Sequence, residues 1–270
     1  MTNYDVVELL GLAREIAGEA ADLAADMRSS GVRVAATKSN DLDIVTAADT
    51  AVEELIRTRL AAARPEDGVL GEETGEVEGT SGITWIVDPI DGTVNYLYGS
   101  PNYSVSIAAT TRNSDGLRVS LAGCVHAPEL AAEYTAAVGH PARRNDRELQ
   151  VNTAVPLHKA LVSTGIPYDL EIRARVMADF ASLAPRVRDL RLVGSAALDI
   201  CGVADGRTDA HAGRRLPIWD YAAAALIATQ AGAVVRGPAG GPPSLTLLLA
   251  ADAPLADALE PLLMENLNDK

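Results

Sequence analysis

The segment WIVDPIDGTVNY, residues 85–96, sends an apolar strand into Asp88, turns at Pro89, and offers Asp91, Gly92 and Thr93 ahead of what reads as a short helix. Two carboxylates three residues apart around a proline turn can converge on one point, although Asp beside Pro and Gly is also common as a plain strand end or helix cap. Upstream, GEETGE (71–76) places adjacent carboxylates after the apolar pair Val69-Leu70. Successive strand side chains point opposite ways, so only one of the two glutamates can easily face a shared site. Downstream, Trp219-Asp220 opens the alanine-rich run YAAAALIATQAG, which ends at Gly232 as a helix C-terminus does, and Asp220 there reads equally well as an N-cap.

Each carboxylate alone has an ordinary structural explanation. Taken together they are hard oxygen donors on three segments, each at a strand end or helix start, in a chain without a His/Cys ligand pattern. Magnesium suits such sites, keeping several waters and completing its shell with substrate phosphate. Two such ions roughly 3.5–4 Å apart can activate a water and stabilise a leaving oxygen. A cluster of carboxylates would repel phosphate, but bound divalent ions become the largest local charges and reverse that.

Outward from this centre, apolar residues at helical spacing (Val6, Leu9, Leu10, Leu12, Ile16, Ala20, Leu23) predict an opening helix over 4–28. Thr46 and Asp49 have capping-box spacing ahead of Val52, Leu55, Ile56 and Leu60, so a second helix begins near Thr46 and closes at Pro65. From residue 69 short apolar runs bounded by turns (VLG, ITWIVD, YSVSIAAT, LAGCVHAP, EYTAAV, ALVSTG) read as strands. Helical patterns return at 170–184, 195–205, 220–231 and 254–264, with strands at 189–194, 233–236 and 244–250. Helices and strands are therefore interleaved in layers. SSG (29–31) and GPAGGPP (237–243) are short enough to be loops, and no long linker divides the chain.

GEE (71–73), WIVDPIDGTVNY (85–96) and WDYAAAALIATQAGA (219–233) resemble the inositol monophosphatase family, within the lithium-sensitive, magnesium-dependent phosphatase superfamily, over about residues 38–235. The resemblance implies an α/β layered sandwich of alternating helix and sheet layers, the sugar-phosphatase fold. It implies one domain over 1–270, with a metal-site half at about 1–150 and a substrate-side half at about 151–270. The activity implied is that of an Mg2+-dependent phosphomonoesterase of inositol-1-monophosphatase type, in which a metal-activated water attacks a small sugar- or inositol-type phosphate directly. Two or three Mg2+ ions, inhibition by Li+ and a homodimer come with it.

Carried over residue by residue, Glu72, Asp88, the carbonyl of Ile90, Asp91 and Asp220 resemble the metal ligands. Thr93 resembles the hydroxyl that, with Glu72, orients the attacking water, and Asp49 the acid that supports it. Glu73 resembles a second, assisting glutamate, and Lys38 a lysine near the site. Substrate contacts fall on Asp91, Gly92, Thr93 and Asp220, and on Gly194, Ser195 and Ala196, whose free amides at a helix start suit hydroxyl or phosphate oxygens. Ser195 as a simple N-cap is the competing structural reading.

The pattern breaks before the WD motif. Where inositol-selective relatives carry Tyr-Tyr-Glu, this chain reads His211-Ala212-Gly213-Arg214-Arg215, so Gly213 stands in place of the hydroxyl-reading glutamate. The metal chemistry is untouched, but the substrate opens to fructose 1,6-bisphosphate, histidinol phosphate or 3'-phosphoadenosine 5'-phosphate. Arg214 or Arg215 facing the pocket would read a second anionic group, and two exposed loop arginines are the alternative. A non-catalytic regulatory or assembly protein on the same fold is the rival from another class.

Composition closes off other classes. Over 270 residues the chain is 48% hydrophobic, mostly Ala, Leu and Val, enough for a sizeable core packed from small side chains. A net charge of −14 opposes nucleic acid and anionic membranes. Arg186, Arg188 and Arg191 form a basic cluster in which the spacing 186, 188 fits the solvated face of a strand with Val187 inward, and it lacks the aromatic interleaving of a base-stacking surface. Cys124 and Cys201 sit in apolar segments as packed free thiols. The acidic N-terminal stretch does not read as a signal peptide, and no run approaches the ~20 apolar residues of a membrane span, so the cytoplasm is expected.

Overall fold

Alternation along the strand that leads into Asp88 already separates two cores. Trp85 and Val87 are buried on one side of it and Ile86 on the other, as the two-residue period of a strand requires. The computed structural model describes residues 4–32, 34–37 and 44–265. Asp5 caps α1 (Val6–Ser29) by accepting from the amides of Val7 and Glu8. After β1 (Val34–Thr37) and β2 (Ile44–Thr46), α2 (Ala47–Ala63) begins with the expected capping box of Thr46 and Asp49.

There follow β3 (Gly68–Gly71), β4 (Gly75–Val77), β5 (Thr84–Asp91), the short α3 (Thr93–Tyr98), β6 (Ser104–Arg112), β7 (Arg118–Ala127), β8 (Ala132–Ala137), β9 (Arg143–Arg144) and β10 (Arg147–Glu148). Their eight-stranded sheet runs in the order β10-β9-β8-β7-β6-β5-β3-β4, antiparallel except for the β3/β5 pair. The later part contributes β11 (Leu161–Thr164), α4 (Leu170–Leu183), β12 (Asp189–Arg191), α5 (Ala196–Ala204), β13 (Ala210–Gly213), α6 (Ala222–Gln230), β14 (Val234–Arg236), β15 (Leu248–Ala251) and α7 (Ala253–Glu265). Its five strands order as β12-β11-β13-β15-β14.

Burial gives the layers. One face of the large sheet (Trp85, Val87, Ile107, Ala109, Cys124) packs on α1 and α2. The other face (Ile86, Ala108, Val125, Tyr134) packs on α5 and α6, which also take Leu248 and Ala250 of the second sheet. The far side of that sheet (Val162, Ala210, Ala212, Leu249, Ala251) is covered by α4 and α7, and Val187 is buried there as expected, although a 3-10 turn ends at Arg186 and the strand begins only at Asp189. The result is five alternating helix and sheet layers, in agreement with the layered α/β sandwich expected from the sequence. Both cysteines are free and buried. Among the described residues no helix is long and apolar enough to cross a membrane.

Candidate metal centre

On a regular strand Asp88 and Asp91, three residues apart, would face opposite sides. The β5/β6 register breaks between them: Asp88 pairs with Ser106 and Asp91 with Ser104, so β5 holds one residue more than its partner. Pro89, which has no N–H to give to the ladder, lies in this bulge. The extra residue resets the alternation. Val87 and Ile90 both enter the α1/α2 core, and Asp88 and Asp91 both face α5 and α6.

The other two carboxylates reach the same point from neighbouring segments. Glu72 follows the last residue of β3, the strand parallel to β5, and is hydrogen-bonded to Asp88. Asp220 closes a short 3-10 turn, Ile218–Asp220, and α6 starts only at Ala222, uncapped by any side chain. Asp220 is therefore not the N-cap of that helix. The turn is held by Ser106 Oγ on the Trp219 carbonyl (3.4 Å). The helix behind it seats closely, because Gly123 lets Ala223 approach β7.

Burial first, then the charges of Glu72, Asp91 and Asp220, raise the Asp88 carboxyl well above the usual range. Asp91 is pushed up to about 6 by burial, against hydrogen bonds that favour its charged form. Those bonds come from Ser195 Oγ (2.5 Å) and the amides of Ala197 (2.7 Å) and Ala196 (3.2 Å) at the start of α5.

Thr93 Oγ1 stands 3.2 Å from both Asp49 Oδ1 and the Ile90 carbonyl. Asp49 Oδ2 is occupied by the amide and hydroxyl of Thr46, so the capping role and the support of Thr93 are compatible, as the sequence suggested. A hydroxyl that donates to Asp49 has only lone pairs left to offer a water. Gly92, at φ +97°, makes the turn into α3, and a Cβ there would lie 3.0 Å from the carbonyls of Asn102 and Gly194.

Four carboxylates and the Ile90 carbonyl, with no nitrogen or sulphur among them, suit a hard divalent cation. The mutual repulsion recorded at Asp88 is what such a cation would offset. Among the described residues no three His, Cys, Asp or Glu side chains stand ready-spaced for an ion. Asp91 gives both oxygens to α5, and Glu72 shares a hydrogen bond with Asp88. The donor set fits.

Other expectations fare differently. Lys38 lies outside the described residues. Ser195 is the N-cap of α5, accepting from the Leu198 amide, and with Ala196 it is directed at Asp91. Gly194 is a φ +88° turn whose missing side chain makes room for Asn95. The amide of Glu73 is held by Glu53 (2.8 Å). Arg214 requires correction as an anion reader: its guanidinium is nearly buried and bound to Asp179 (2.7 Å) and to the carbonyls of Thr246 and Leu263. It is an internal clamp between β13, α4 and α7. At Gly213 a Cβ would run into Leu216, so the glutamate position is filled by an apolar side chain. Sequence reasoning missed Glu53 and Asn95. Asn95 Nδ2 donates to Asn102 O (2.7 Å) and Val193 O (2.8 Å), joining the two halves at the site, and no local motif announces it.

A profile of the inositol monophosphatase family matches residues 5–269. The inositol-1-monophosphatase of Mycobacterium leprae is 42% identical over 248 residues, 87% of this chain and 82% of that protein. The Nus factor SuhB of Vibrio cholerae is 32% identical over 235 residues, 86% of each. The crystal structure of extragenic suppressor protein suhB from Bartonella henselae superposes with a TM-score of 0.87 at 32% identity, covering 96% of this chain and 99% of that one.

Proposed function

This chain belongs to the inositol monophosphatase family, and from that premise we propose that it is a magnesium-dependent phosphomonoesterase acting on a small phosphorylated metabolite. The observation that carries the reading is the bulge at Pro89, which turns Asp88 and Asp91 to one face beside Glu72 and Asp220. Glu72, Asp88, the Ile90 carbonyl, Asp91 and Asp220 would hold Mg2+, which supplies positive charge to a phosphate and acidity to a water. Thr93, whose hydroxyl donates to Asp49, would accept a hydrogen bond from the attacking water, and Glu72 would help orient that water. The buried carboxylates exclude competing anions unless cations are bound with the substrate.

Substrate choice is the finer part of the proposal. Leu216 in the place of a hydroxyl-reading glutamate removes an acceptor for ring hydroxyls. Discrimination between polyols is thereby weakened, and the enzyme accepts several phosphomonoesters. Phosphate release from inositol 1-phosphate, fructose 1,6-bisphosphate, histidinol phosphate and 3'-phosphoadenosine 5'-phosphate tests this. At least two are hydrolysed at comparable kcat/KM, whereas strict selectivity for inositol 1-phosphate would refute the broad preference.

The name of the Vibrio cholerae relative raises a second reading, a non-catalytic assembly protein. Such a role needs neither the four carboxylates nor the Thr93–Asp49 pair, and all are in place here. Silence toward all four substrates at millimolar Mg2+ would favour it.

A further inference from the structure

Asp49, Glu53 and Arg57 recur every four residues on α2 and so share one face of it. Asp49 serves Thr93. Glu53, one turn further on and fully buried, has a different task that the catalytic reading leaves open. Its Oε2 accepts from the Glu73 amide at 2.8 Å, and its Oε1 from the Thr74 amide at 3.1 Å and the Thr74 hydroxyl at 2.5 Å. Arg57 Nε lies 2.9 Å from the same Oε1, while the Arg57 guanidinium also donates to the Gly75 carbonyl at 2.5 Å.

On the other side of Glu72 the carboxylate presses on the backbone. A Cβ on Gly71 would stand 2.5 Å from the Glu53 carboxyl carbon and from Oε1, so the residue before Glu72 must be glycine for this approach to exist. Glu72 is thus bracketed: Gly71 lies against Glu53, and the amides of the two residues after it are held by the same side chain.

A buried charge is costly unless its lone pairs are met. Here they are met by three donors from a single turn, plus one guanidinium that also grips the far end of that turn. We infer that Glu53 is a positioning residue for the metal site, fixing where the Glu72 carboxylate stands by clamping the Gly71–Gly75 turn from α2. Through Asp49 and Glu53, one helix face then sets both partners of the attacking water, Thr93 and Glu72. This rests on the proposed metal-site reading.

The test is cation affinity, read by terbium(III) luminescence titration of the whole chain, with circular dichroism and thermal melting as the check on folding. Glu53→Gln leaves one acceptor oxygen for three turn donors and weakens terbium binding by about tenfold or more, in the range for residues that orient a metal ligand, while the cooperative melt is retained. Thr74→Ala, at an exposed turn position, weakens it in the same direction by a few-fold, about a third of that logarithmic loss, and decides the matter if Glu53→Gln does not fold. Unchanged affinity in folded Glu53→Gln, or in Thr74→Ala where the first variant fails to fold, overturns the inference while leaving the metal site standing. Absence of terbium binding by the unaltered protein overturns both.

Discussion

Pro89 shows how much one missing N–H can decide. Without the bulge it sits in, Asp91 would point into the α1/α2 core, where Ile90 now lies, and the four acids could not meet. Asp199, further along in α5, shows the opposite economy, because it is buried with no part in the proposed reaction. Burial first, then the charge of Asp91, pushes its carboxyl up to about 8. The folded chain therefore keeps a proton there that the unfolded chain releases above about pH 4. That contribution to stability is whole below pH 4 and is lost progressively as pH rises toward 8. Asp199→Asn, which cannot ionise, raises the melting temperature relative to the unaltered protein more at pH 8 than at pH 5. An equal change at both pH values would contradict the assignment.

Among the elements, α6 carries the most consequence for the site, since it fixes the turn that ends in Asp220. Its alanines are small for a reason: Gly123 of β7 and Ala223 approach so closely that a Cβ on Gly123 would stand 2.9 Å from the Ala223 Cα. Backbone cannot step aside as a side-chain tip can. Gly123→Ala therefore destabilises the fold by about 1–3 kcal/mol, the usual range for overpacking, measurable by urea denaturation. Unaltered stability would mean that α6 is not seated as described.

The long helices and central strands were legible in sequence because burial on one face imposes a period. The β1/β2 pair and the β9/β10 hairpin were not read, being two to four residues long with no apolar repeat. Of the site, the acids and Thr93 could be named from their motifs, and the Thr46–Asp49 box from its spacing. The helix boundary at Asp220 was misplaced by two residues because Trp-Asp before an alanine run reads as a capped helix start. Arg214 was misread because its partner Asp179 is thirty-five residues away, and a long-range ion pair leaves no local pattern. Glu53 escaped for a similar reason: on α2 it looks like one more charge on an acidic helix, and only the folded turn shows what it holds.

At the scale of the whole molecule, five layers bring acids from the first sheet and from the α6 turn to the helix layer between the two sheets. Asn95 bonds there to Val193 and Asp91 to the start of α5, so segments early and late in the chain meet at the proposed site. The central claim is that Glu72, Asp88, Asp91 and Asp220 act as one magnesium-dependent hydrolytic site. Phosphate release from the four-substrate panel, followed as Mg2+ is raised from zero into the millimolar range, tests it most directly when run beside Asp220→Asn. Saturable, chelator-sensitive release by the unaltered chain is predicted, with a loss beyond the roughly hundredfold that follows removal of an indirect, ligand-orienting residue in folded Asp220→Asn. Release that persists in excess chelator, or an Asp220→Asn variant as active as the original, would contradict it.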